Sequence, residues 1–234
     1  MRKITTIVAV LFISLSLSAQ QVNDPNAEVR AAKDFHGINV SNAFDVYLSQ
    51  GNEEAVAVSA ASVKDRDMIK VEVKSGILHI SLEKDWKWTK GNKKLKAYVS
   101  FKQIDQLKVS GACDVYISGI LKADALSIDQ SGASDIKGAL DVNKLTVDLS
   151  GASDMTVTGK ATQASVEASG ASGFKGYDLV TDVCNARASG ASDIRITVNK
   201  ELSAQASGAS DVKYRGAGTT KDVKSSGSSS VSKG

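Results

Sequence analysis

Five aspartates, Asp114, Asp135, Asp154, Asp193 and Asp211, hold one position of a repeating unit. Each stands four residues after the first serine of a Ser-Gly-Ala-Ser tetrapeptide or a close variant of it. Asp45 precedes the series and Gly173 interrupts it. Stacked repeats would set these carboxylates in one outward column. A ladder of carboxylate oxygens suits Ca²⁺, a hard cation with oxygen ligands. In the competing account each Asp accepts turn N–H groups. A basic column two residues further on, Lys137, Lys175, Arg195 and Lys213, would then offset the like-charge repulsion. The nonapeptide of calcium-binding β-rolls is absent, so the structural account is preferred and no metal or cofactor is expected.

Three other groups could do chemistry. Asp129, Asp148 and Glu167 recur two residues before the first serine, and paired carboxylates can act as acid and base on a glycosidic bond. Nothing in the sequence marks a cleft around them, so a solvated charged face is the expectation. Trp86 and Trp88, with Lys87 and Lys90 beside them, would share one face of a strand and could stack on sugar rings or grip an anionic glycan. The same two rings could instead close the end of a core. His36 and His79 have no nucleophile or ligand partner at motif spacing and read as ordinary strand residues, and nothing activates Cys113.

The elements that hold these residues follow from the tetrapeptide itself. It starts at Ser110, Ser131, Ser150, Ser169, Ser189, Ser207 and Ser226, about every 19 residues. A fixed period of this size marks a solenoid. Three residues before each start stand Leu107, Ile128, Val147, Val166, Ala186, Ala204 and Val223; five after stand Val115, Ile136, Met155, Phe174, Ile194, Val212 and Val231. Apolar and polar positions alternate between them, as on strands. The motif then reads as a corner. Gly111, Gly132, Gly151, Gly170, Gly190, Gly208 and Gly227 would supply positive φ, the alanines would face a narrow core, and the serines would bond turn backbone groups. A second corner is expected near Gly119, Gly138, Gly159 and Gly176, giving two short strands per repeat. The fold predicted is an all-β, single-domain parallel β-helix with one repeat per coil; an antiparallel meander explains the identical columns less well.

The same pattern appears earlier. Ile38 to Leu48 matches Leu107 to Ile117 in character, so the solenoid begins near Phe35. Residues 34–109 form irregular N-terminal rungs, with a hairpin of Ile69–Val73 and Ile77–Leu82 and a strand at Leu95–Phe101, and 110–234 form the regular repeats. Residues 1–19 have the basic start, apolar run and small residues of a signal peptide, and 20–33 read as a linker. No second apolar stretch suggests a transmembrane segment. The net charge of +3 falls to +1 when Arg2 and Lys3 leave with the signal peptide, which gives no footing for nucleic acid. Cys113 and Cys184 lie four repeats apart, roughly 19 Å of stacked strands. A disulfide needs Cα atoms about 5.5 Å apart, so two free thiols are expected.

Phe35-His36-Gly37-Ile38-Asn39-Val40, then Phe44-Asp45-Val46-Tyr47-Leu48-Ser49-Gln50-Gly51, then the Ser-Gly-Ala-Ser series together resemble the head GIN domain family, described as auto-transporter adhesins of Gram-negative bacteria. The resemblance covers residues 34–234 and implies a parallel β-helix, pectate-lyase-like in shape and right-handed, with a role in adhesion and no known catalytic residues. The function expected is that of an exported, non-enzymatic module of the periplasm or cell surface, presenting polar columns to a glycan or protein. The alternatives are a polysaccharide-active enzyme and a scaffold that self-associates end to end.

Overall fold

The computed structural model describes residues 24–83 and 94–234. In chain order the elements are β1 (Glu28–Arg30), β2 (Gly37–Val40), β3 (Asp45–Gln50), β4 (Ala55–Ser59), α1 (Val63–Asp67), β5 (Ile69–Lys74), β6 (Ile77–Leu82), β7 (Lys96–Phe101) and β8 (Gln106–Val109). There follow β9 (Asp114–Gln130), β10 (Asp135–Leu149), β11 (Asp154–Ala168), β12 (Gly173–Ala188), β13 (Asp193–Gly208), β14 (Asp211–Arg215), β15 (Thr219–Gly227) and β16 (Ser230–Lys233). The chain winds into a β-solenoid of about 7 turns with ~19 residues per turn.

Stacking from β8 onward is parallel, and it matches the sequence columns residue for residue. Leu107, Ile128, Val147, Val166, Ala186, Ala204 and Val223 are successive ladder partners, and so are Val115, Ile136, Met155, Phe174, Ile194, Val212 and Val231. Up to Ala204 and Val212 these side chains are buried, because the inward position of one strand lies over the inward position of the next. Val223, in the last coil, is exposed.

Two expectations about the corners change. Each regular coil is one continuous strand of 15–17 residues, not two short ones. The second corner is a bend that the ladder passes through with a register shift, near Lys137/Ala139, Thr156/Gly159 and Gly176/Val180. Of the four glycines expected to turn it, only Gly119 and Gly159 have positive φ. At the first corner the alanines are exposed and the second serine is the residue that points inward. Ser134, Ser153, Ser172, Ser192 and Ser210 are buried, and each hydroxyl donates to the carbonyl of the first serine of its own motif, at 2.8–3.1 Å. The inward corner position must satisfy a backbone carbonyl cut off from water, which Ser does and Ala cannot. Cys113 holds this place one coil earlier and makes the same contact through Sγ, 3.4 Å from the Ser110 carbonyl.

The seven corner glycines all have positive φ, between 74° and 91°. The carbonyls of the first five accept from the alanine amide of the next coil, as when Ala152 donates to Gly132 at 2.8 Å, and that of Gly208 accepts from Ser228. Asn42 takes the glycine's place in the earliest coil at φ 84°, and its side-chain oxygen accepts the Leu82 amide at 3.0 Å. Asn is among the few non-glycine residues that tolerate this region.

The N-terminal rungs are not stacked in chain order. The coil made by β2 and β3 lies between the coil made by β6 and β7 and the coil that β8 opens. β2 pairs with β6 and with β8, and β3 pairs with β7 and with β9, all in parallel. The chain therefore leaves its first coil, runs outward through β4 and β5, and returns to fill the rung it skipped. β4 and β5 pair antiparallel with β7 and β6 and close that end. The β5–β6 hairpin turns at Ser75-Gly76, both with positive φ, the requirement of a tight type I′ turn. Within the stretch 20–33, β1 pairs antiparallel with β4. At the opposite end β15 and β16 each have a single ladder neighbour.

Candidate functional site

The outward side chains of the strand that follows the first corner form two parallel columns, since residues two apart on a strand share a face. The first is Asp45, Asp114, Asp135 and Asp154, then Gly173, Asp193 and Asp211, ladder partners in that order. Lys96 flanks Asp45 on the N-terminal side. The predicted aspartate series is thus one continuous line of carboxylates at rung spacing.

The cations answer part of it. Lys175 Nζ lies 2.9 Å from Asp154 across one rung, reaching over the space left by Gly173. Lys137 and Lys213 lie 3.7 and 3.5 Å from Asp135 and Asp211 on their own strands. Ser230 donates to Asp211 at 2.6 Å and holds its carboxyl below the ordinary range. At the other end, burial and the adjacent Asp114 charge raise the Asp45 carboxyl, with Lys96 opposing. Among the described residues no three Asp, Glu, His or Cys side chains are grouped so as to hold a metal ion.

The second column, two residues on, contains a feature that sequence reasoning missed. Tyr98, Tyr47 and Tyr116 occupy three successive rungs with their rings stacked, centroids 5.2 and 5.5 Å apart and planes within 20°. Lys137 follows on the next rung. Asp24, ahead of β1, accepts the Tyr98 hydroxyl at 2.9 Å and lies 3.8 Å from Lys96 Nζ. Burial opposes ionisation of Asp24, but the Tyr98 hydroxyl and the Asn26 amide hold its carboxyl below the usual range. Burial and Asp24 in turn raise the Tyr98 phenol. Tyr47 and Tyr116 already lie at matching positions of the two similar sequence segments. Tyr98 comes from a segment with no repeat signature, so the threefold stack is visible only once β7 is seen beside β3.

On the strand before the corner, the second carboxylate series lines up as expected. Lys108, Asp129, Asp148, Glu167, Arg187, Gln205 and Lys224 are ladder partners. Asp129 is paired with Lys108 at 2.6 Å and Glu167 with Arg187 at 2.8 Å. Burial, with Asp129 and Glu167 on either side, raises the Asp148 carboxyl. Trp86, Lys87, Trp88 and Lys90 lie outside the described residues, as does the segment 1–19. His36 is exposed, with Nδ1 3.0 Å from Asp105, and His79 sits within the β6 ladder. Cys113 and Cys184 are unpaired and buried, in different columns, and burial pushes their thiols up to about 11 and about 12. No described helix is long and apolar enough to cross a membrane.

A single-chain parallel β-solenoid with in-register polar walls is the class of protein that the fold and these columns define. Residues 34–218 match the family model described as “Putative auto-transporter adhesin, head GIN domain”, and the chain belongs to that family. Solved structures share the fold. A “putative adhesin” from Bacteroides fragilis superposes with a TM-score of 0.83 at 23% identity, covering 88% of this chain and 95% of that one. A “putative adhesin” from Parabacteroides merdae gives 0.69 at 17%, over 89% and 95%. A “putative lipid binding protein” from Parabacteroides distasonis gives 0.67 at 20%, over 90% and 98%. No curated protein matches the chain.

Proposed function

We propose that this protein is an exported, non-catalytic adhesin-like module of the cell envelope that holds a glycan or protein partner against its side wall. The observation that carries this reading is the register of the outward columns: the same polar side chain returns on successive rungs, so a long partner meets the same contact many times. Contacts of modest strength repeated along a rigid body add through effective concentration. Membership of the adhesin family points the same way. The half-buried Tyr98–Tyr47–Tyr116 stack is the most distinctive patch on this wall, in the column beside Asp45 and Asp114.

Catalysis is the weaker reading. Two of the three carboxylates on the other wall, Asp129 and Glu167, are tied in ion pairs with Lys108 and Arg187, whereas glycosidic cleavage needs a pair of carboxyl groups turned to the scissile bond. A glycan array probed with the mature protein tests the proposal, with product analysis on every glycan retained. Retention without change supports it, and Tyr47→Ala with Tyr116→Ala should weaken retention of a ligand on the stack while the far-UV spectrum stays the same. Cleaved product would establish the enzyme. The single-neighbour edge of β15 and β16 favours one further reading, end-to-end assembly, because open strands template pairing. Light scattering on the purified chain decides it: a monomer at all concentrations removes the scaffold.

A further inference from the structure

A shallow trough of about 650 Å³ runs along the C-terminal half of the wall that carries Asp148. Asp148, Glu167, Arg187, Gln205 and Lys224 line it, one from each of five successive rungs, so it extends roughly 19 Å. The first serines of the corner motif, Ser169, Ser189, Ser207 and Ser226, border it.

These serines are not equivalent. Ser110, Ser150 and Ser169 donate their hydroxyls to a carbonyl of the preceding coil, at Val40, Gln130 and Leu149. In the last three coils the second serine takes that carbonyl instead: Ser192 donates to Ala168 at 2.9 Å, Ser210 to Ala188 at 3.0 Å and Ser229 to Ala206 at 3.0 Å. The hydroxyls of Ser189, Ser207 and Ser226 are thereby left without that acceptor and, like that of Ser131 outside the trough, have no hydrogen-bond partner among the described residues. Three unclaimed hydroxyls therefore stand on consecutive rungs at the border of the one trough.

We propose that this trough binds an extended, neutral β-1,4-linked oligosaccharide lying along the solenoid axis, an assignment that rests on the adhesin-like reading. The two carboxylates and two cations of the lining cancel, so it selects neither anion nor cation. Its apolar members are the alanines Ala168, Ala188 and Ala206, which offer a protein partner no large anchor of the kind that dominates protein interfaces. The backbone beneath is committed to the ladder up to the open edge of β15, and a peptide lying along the axis runs across the strands, so it cannot add to the sheet. What remains is a line of hydroxyl, amide and charged groups, donors and acceptors both, repeating about every 4.8 Å. That is close to the advance of one pyranose in an extended β-1,4 chain.

The test is isothermal titration of the mature protein with cellohexaose and N-acetylated chitohexaose, with maltohexaose and polygalacturonate as controls. At least one β-1,4 hexamer should bind, more tightly than its dimer. Ser189→Ala, Ser207→Ala and Ser226→Ala together should weaken it at least tenfold, whereas Ser150→Ala, whose hydroxyl donates to the Gln130 carbonyl outside the trough, should not. Failure of both hexamers, equal binding of maltohexaose or polygalacturonate, or undiminished affinity in the triple variant overturns the assignment. If a broader array still retains glycans or proteins in those cases, the adhesin-like reading stands and only the trough is wrong; if nothing is retained, both fall.

Discussion

Gly151→Ala and Gly119→Ala form a matched pair that isolates the role of the corner. The two glycines have nearly the same φ, 77° and 74°. Alanine at either site incurs the left-handed penalty of about 1–2 kcal/mol. They differ in what a new Cβ would meet. At Gly119 nothing lies within 4 Å. At Gly151 the Cβ would stand 2.5 Å from the Gly132 carbonyl oxygen. That oxygen already accepts the Ala152 amide at 2.8 Å, so relieving the clash means stretching the hydrogen bond that joins the two coils. Leaving such a group unmade costs about 1–3 kcal/mol. Gly151→Ala should therefore destabilise by about 2–5 kcal/mol and Gly119→Ala by about 1–2 kcal/mol. Urea unfolding followed by far-UV circular dichroism reads both, with the slope checked because a solenoid can lose cooperativity. Equal losses would show that the glycines serve φ alone and that close approach of the coils at the corner contributes nothing.

Gln130 is wholly buried, and its side-chain oxygen has no partner while its amide donates to the Ser134 and Asp154 carbonyls. Its ladder neighbours are Val109 and Leu149, so Gln130→Leu should raise stability by about 1 kcal/mol in a thermal melt. Asp45 has its carboxyl raised by burial and by Asp114, so the folded state binds the proton more tightly than the unfolded one. Its charge therefore works against folding above the raised value, and this is relieved as pH falls towards the ordinary 3.8. Asp45→Asn should stabilise at pH 7 and lose that advantage as the pH is lowered through this range, as denaturation midpoints at several pH values will tell. Both thiols should be silent to a thiol reagent in the native protein and count as two after unfolding, given their burial and raised pKa values.

The regular half of this fold was legible because parallel stacking places like over like. Leu107 and Ile128, 21 residues apart, could be paired from the sequence, and the ladder pairs them. The direction in which the corner points was not legible. Ser-Gly-Ala-Ser offers both an Ala and a Ser for the interior, and the choice turns on which backbone carbonyl is sealed from water, a fact of three dimensions. Rung order was only partly legible. The likeness of Ile38–Leu48 to Leu107–Ile117 suggests an early rung of the same solenoid, with the irregular residues between them capping the N-terminal end. In the structure Asp45 lies directly on Asp114 and Tyr47 on Tyr116. The likeness was a sign of contact, and the intervening residues go round it. The acidic column was readable from spacing alone, whereas the release of three serine hydroxyls depends on which of two candidate donors reaches one carbonyl.

The inserted first coil has a consequence for how the chain is made and how it comes apart. A solenoid stacked in chain order can grow as the chain is made, each coil closing on the last. Here β2 and β3 are made early but acquire one neighbour only with β6 and β7 and the other only with β8 and β9. One edge of the early coil stays open until β7 ends at Phe101, and the other until β9 is laid down. Once the later strands close on either side, the early coil is gripped like a tenon between two cheeks. A pull on the N-terminus must first strip β1 from β4 and then break the ladders on both sides of β2 before the early coil is free.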